Sequence, residues 1–154
     1  MTQNKLNTTS RLMQFVSTSS ASTFNTTTIL PRDDTIPQNT EGDEIITLAI
    51  TPKSASSKLV ITFTGWGVVA AGVSAGAAAL FQDTTAGALS AMYIRTGRAI
   101  VLRHVMTSGT TSSTTFKIRC GPNQAGSFYL NANATGTRVM GGVSKVWLTI
   151  EEYL

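Results

Sequence analysis

The chain is short of the residues that carry most enzyme chemistry. It has one cysteine, one histidine and eight acidic residues in 154. A single cysteine, Cys120, excludes an intramolecular disulfide, so stability must come from packing or association. With one thiol and one imidazole (His104) there are too few soft ligands for a zinc site. No G-x-S-x-G elbow, P-loop, H-E-x-x-H or C-x-x-C is present, and no catalytic or cofactor site is expected. Long hydrophobic runs are missing too. The most apolar segment, GVVAAGVSAGAAALF at 67–81, is interrupted by Gly72, Ser74 and Gly76. It falls short of the ~20 apolar residues that span a bilayer, so no membrane span is expected. The opening MTQNKLNTTSRLMQF lacks the apolar core of a secretory signal. A soluble protein folding in a reducing cytoplasm is expected.

Charge is sparse, at 13% of residues, with a net charge of +4 and a pI near 9.6. The lysines and arginines are scattered, the densest stretch being RTGRAIVLRH at 95–104. Nucleic-acid footprints are clustered, so no nucleic-acid partner is expected.

What the chain does have is serine, threonine and glycine: 40 Ser or Thr and 13 Gly. That mixture suits short strands joined by turns rather than long helices. The period-2 signal is clear from Glu44 onward. In EIITLAIT, Ile46, Leu48 and Ile50 share a face. In KLVITFTGW at 58–66, Leu59, Ile61 and Phe63 oppose Lys58, Thr62 and Thr64. AIVLRHVMT at 99–107, TTFKIRC at 114–120, SFYLN at 127–131 and SKVWLTIEE at 144–152 continue the pattern. Strands of this kind predict an all-β fold, an antiparallel β-sandwich of jelly-roll type, with one face of each sheet wet.

Five of the eight acidic residues (Asp33, Asp34, Glu41, Asp43 and Glu44) crowd into PRDDTIPQNTEGDE at 31–44. Adjacent carboxylates on an extended chain point apart, which suits neither acid–base catalysis nor the spacing of a calcium loop. Pro31, Pro37 and Gly42 instead mark a turn whose amides the aspartates accept.

Two further segments are singled out. Residues 1–28 are polar, free of acidic residues, and unable to build a core alone. They are read as an extended N-terminal arm ahead of a knob domain at 29–154. The arm either lies on a second subunit or larger assembly, or folds back on its own domain. Lys5 and Arg11 are its candidate docking charges, Leu12 and Phe15 its apolar anchors. The small-residue stretch at 68–79 suits a close backbone approach, either between sheets or between subunits. The subunit contact is the expectation, with Ala70 and Ala78 as its markers.

The blocks DDTIPQNTEGDEIITLAITPKSASSKL, ALFQDTTAGALSA, HVMTSGTTSSTTFKIRCG and GGVSKVWLTIEE resemble a tailed-bacteriophage family of virion-surface β-sandwich knobs, over roughly residues 29–153. The resemblance implies a non-enzymatic structural protein that associates as a homotrimer. It implies a location on the virion surface after synthesis in the host cytoplasm. With no shaft segment, a capsid decoration or cement protein docked by its arm on the major capsid protein or other virion proteins is expected. The alternative is a tail-fibre tip that adheres to host-surface glycan through loops at 107–113, 121–126 and 131–137.

Overall fold

The structure, a computed structural model, describes residues 11–95 and 97–154. It contains ten strands: β1 (Leu12–Ser20), β2 (Phe24–Thr26), β3 (Asp43–Ile50), β4 (Lys58–Val69), β5 (Gly76–Gln82), β6 (Ser90–Ile94), β7 (Arg98–Thr107), β8 (Thr114–Pro122), β9 (Phe128–Leu130) and β10 (Val146–Tyr153). They form an antiparallel β-sandwich. One sheet has six strands in the order β1-β10-β4-β9-β2, with β7 on the other side of β4. The second has four, in the order β3-β8-β5-β6.

β4 is the spine of the larger sheet because its alternation is uninterrupted. Leu59, Ile61 and Phe63 point inward and are wholly buried, as are Leu148 and Ile150 of β10. They meet Phe116, Ile118 and Leu80 of the smaller sheet in one continuous core. Each such side chain contributes roughly 1.5–3 kcal/mol on burial.

The small-residue stretch serves this core. A Cβ at Gly67 would lie 2.3 Å from the Phe128 ring, and one at Gly76 would lie 2.5 Å from it. Both positions must be glycine for that ring to sit between β4 and β5. Ala78 is wholly buried, opposite Cys120 in the β5–β8 ladder, and Ala70 is half-buried against the same core. The expectation that Ala78 marks a subunit contact is corrected: a fully buried Ala78 cannot meet a second copy while the protomer stays folded.

The described part of the N-terminal segment is also integral to the domain. β1 pairs with β10 from Leu12↔Tyr153 to Ser20↔Val146, with an irregularity between Leu12 and Gln14. β2 pairs with β9. Of the two readings of the arm, residues 11–28 follow the one in which it folds back on its own domain, so the expected boundary at residue 28 falls within the sandwich.

The outer faces of the two sheets differ. Across the smaller sheet runs the segment that carries the acidic turn. Leu30 N donates to Pro122 O at 2.9 Å, and Gly42 N donates to Ile29 O at 3.1 Å. The backbone passes so close that a Cβ at Gly121 would lie 2.2 Å from Thr28 O. Leu30 is thereby seated on Ala77, Ala79 and Phe81, forming a second small core. β5 is therefore buried on both faces. Among the described residues, no segment is seated in this way on the strand face formed by β1, β10, β4 and β7.

Candidate association surface

Three of the five carboxylates at 31–44 are held by nearby backbone amides. Asp33 accepts from Thr35 N at 3.0 Å, and Glu41 accepts from Gln38 N at 2.9 Å. Asp43 accepts from Thr27 N at 2.8 Å, Thr28 N at 3.2 Å and the Thr28 hydroxyl, tying the exit of β2 to the start of β3. Hydrogen bonds from Thr35 hold the Asp33 carboxyl below the usual carboxylate range. Burial works against ionisation of Asp43, but the bonds from Thr28 and Thr27 outweigh it and leave its pKa lowered. Arg119 completes the turn by donating to Glu41 O at 2.8 Å and Gly42 O at 2.6 Å. Among the described residues, no group of three His, Cys, Asp or Glu side chains is placed to hold a metal.

A different carboxylate, which the sequence reading passed over, organises the other end of the sandwich. Glu152 is wholly buried. It accepts from Gln14 Nε2 and Ser57 Oγ at 2.6 Å each, from Lys53 N at 2.8 Å and from Ser54 N at 3.3 Å. Burial pushes its pKa up, but the bonds from Ser57, Gln14 and the two amides prevail, and the net direction is down. The signal was available: Glu152 continues the inward phase of Val146, Leu148 and Ile150.

The uncovered face of the larger sheet is where apolar side chains reach solvent. The register sets out its rows. Leu12 lies opposite Tyr153, which lies opposite Lys58 and then Thr107. The next outward row is Phe15, Glu151, Val60 and Val105; then Ser17, Thr149, Thr62 and Arg103; then Ser19, Trp147, Thr64 and Val101. Phe15 is 53% exposed, Val101 60%, Val105 51% and Trp147 42%. Beyond the last row, Trp66, Val139, Met140 and Ser144 line a mainly apolar cavity of about 320 Å³. Met140, at a φ of 51°, occupies the left-handed region that a non-glycine side chain disfavours, and it is exposed.

The sequence candidates divide accordingly. Leu12 and Phe15 are brought together on this face. Arg11 is exposed at its edge, its backbone bonded reciprocally to Leu154 at 3.1 and 3.0 Å. Lys5 lies outside the described residues. Ala78 belongs to the core, and Ala70 is half-buried against it. Val101, Val105 and Trp147, in the phase opposite the core residues of their strands, were missed; an outward phase rich in Val and Trp was the available sign. His104 is half-buried at the end of the inward phase of β7, and burial lowers its pKa. Cys120 is fully buried, which pushes its thiol pKa far up and disfavours the thiolate.

Among the described residues, no helix is long and apolar enough to cross a membrane. No curated protein matches the chain. Solved structures resemble it at a distance. The C-terminal domain of EclA, titled a sugar-binding protein, aligns at 12% identity and TM-score 0.43, covering 72% of this chain and 74% of that one. Dimeric latent PorU from Porphyromonas gingivalis aligns at 9% identity and TM-score 0.42, over 91% of this chain and 13% of that one. A Bacillus endospore appendage protein aligns at 12% identity and TM-score 0.34, over 91% and 88%.

The family comparison overturns the phage resemblance. The blocks that suggested it run through the acidic turn, β3, β5, β8 and β10. The expected virion role, whether capsid decoration or tail-fibre adhesion, and the virion-surface location fall with it. The model described as the Pgp3 C-terminal domain matches residues 23–153, from the residue before β2 to the end of β10. The chain belongs to the Pgp3 C-terminal domain family.

Proposed function

We propose that the chain is a non-enzymatic, self-associating β-sandwich module whose copies meet through the uncovered face of the larger sheet, as a homotrimer. One observation carries this reading. The outward phases of β1, β7 and β10 present Phe15, Val101, Val105 and Trp147 to solvent, while the inward phases of the same strands already fill the core. Exposed apolar side chains gathered on one sheet face mark association sites. Aromatic side chains are enriched where such sites carry their energy. The non-enzymatic reading is supported by carboxylates bonded to turn amides and by a cysteine buried away from solvent.

The chain's two tryptophans, Trp66 and Trp147, both belong to this face, so fluorescence reports on it directly. Acrylamide quenching is expected to be weak in concentrated protein and to rise on dilution as copies separate. Quenching that is strong and independent of protein concentration would overturn the reading.

A further inference from the structure

We infer that the association face is charge-complementary to itself, with Glu151 of one copy meeting Arg103 of the next. This deepens the self-association reading and rests on it. Among the outward positions of the four paired strands, Glu151 is the acidic residue, and it lies on the β1–β10 flank. Within the strand rows the basic residues, Lys58 and Arg103, lie on the β4–β7 flank, while Lys145 packs over the Trp147 ring just ahead of β10 and Arg11 stands at the β1 edge. Glu151 and Arg103 lie on strands either side of β4, about 10 Å apart at ordinary strand spacing, in adjacent rows, and the Arg103 charge reaches the Tyr153 hydroxyl without a hydrogen bond to Glu151.

Lys58 and Lys145 are engaged on their own sheet, Lys145 over the Trp147 ring at 5.6 Å, which leaves Arg103 as the cation within the strand rows for a second copy. Lys58 Nζ donates to Thr107 Oγ1 at 2.7 Å on its own sheet. Glu151 accepts from the Tyr153 hydroxyl at 3.0 Å, which leaves its other carboxylate oxygen for a further donor. Phe15 and Val60 flank Glu151 in its row, and Val105 and Val101 flank Arg103 along β7. Apposed flanks would therefore desolvate the charged pair among apolar side chains, where a pair fixes register and rejects wrong partners. The occupant this arrangement fits is a second copy of the chain. Contacts between unlike flanks close into a ring when the rotation permits, and a homotrimer is such a ring.

The test is sedimentation equilibrium on four full-length proteins: wild type, Glu151→Arg, Arg103→Glu, and the double exchange. Circular dichroism on each checks the fold. Both residues are surface groups, so all four are expected to fold. Each single exchange puts like charges together at every contact and is expected to weaken association at least about tenfold. The double exchange restores opposite charges at every contact and is expected to recover wild-type mass. Assembly of the wild type with both single variants equally assembled would overturn the charge pairing and leave the self-association reading standing. Failure of the double exchange to recover mass, with its fold intact, would also overturn the pairing. A wild type that is monomeric throughout would overturn the self-association reading itself.

Discussion

The two sheets of this sandwich treat their outer faces in opposite ways. On the smaller sheet the backbone from Thr28 to Gly42 lies across β5 and β8, and Leu30 closes over Ala77, Ala79 and Phe81. The acidic residues of that segment hold the cover in place, with Asp43, Glu41 and Asp33 each accepting bonds from nearby amides. On the larger sheet, Phe15, Val101, Val105 and Trp147 stand in the open. One apolar outer face is buried by the chain itself; the other is the face we assign to a further copy. The comparison teaches that composition alone does not mark a surface for association. What matters is whether a local segment has already covered it.

This contrast can be broken by substitution. The largest effect is expected at Ala78. A glutamate there buries an unpaired charge between the sheets, costing more than about 4 kcal/mol, and the protein is expected to aggregate or remain unfolded in circular dichroism. On the covered face, Phe81→Ala is expected to cost about 3–5 kcal/mol in urea unfolding, because its ring is enclosed by Leu30 and the β5 alanines. A loss below about 1 kcal/mol would show that the cover is loose.

Glu152→Gln comes next, at about 1–3 kcal/mol, since it weakens four hydrogen bonds made to a carboxylate. Its pH dependence has a definite sign. The folded pKa is depressed, so the stabilisation is complete above the unfolded value of about 4.3 and is lost as pH falls through the folded value. Urea midpoints measured between about pH 6 and pH 3 should fall less steeply for the Gln variant than for wild type. Parallel slopes would remove Glu152 from the account of acid stability. The smallest effect on folding is expected on the bare face, where Phe15→Ser should change stability by no more than about 0.5 kcal/mol while weakening association.

How much of this was legible follows from which faces are wet. β3, β4, β7, β8 and β10 each bury one face, so their alternation was plain, and Leu59, Ile61 and Phe63 were placed correctly. β5 was not recognisable by alternation because both its faces are buried, and its small residues answer to the Phe128 ring and to the covering segment. β1 was obscured by the irregularity between Leu12 and Gln14, which puts Leu12 and Phe15 on one face at an odd spacing. The acidic run was read as a turn, and Asp33 and Glu41 bond to its amides while Asp43 ties it to the end of β2. The association face was half visible. Leu12 and Phe15 stood out in a polar segment, whereas Val101, Val105 and Trp147 sit in the phase opposite the core residues of their strands. That they belong together depends on β1 pairing with β10 and β10 with β4, long-range contacts that no local pattern encodes.

The most direct measurement pairs the solution mass of the wild-type chain with that of a Phe15→Ser/Val105→Ser variant by sedimentation equilibrium, with urea midpoints recorded on the monomeric species. The account predicts a homotrimer for the wild type, a monomer for the variant, and an unchanged midpoint. A monomeric wild type, or a variant that stays trimeric, would contradict it.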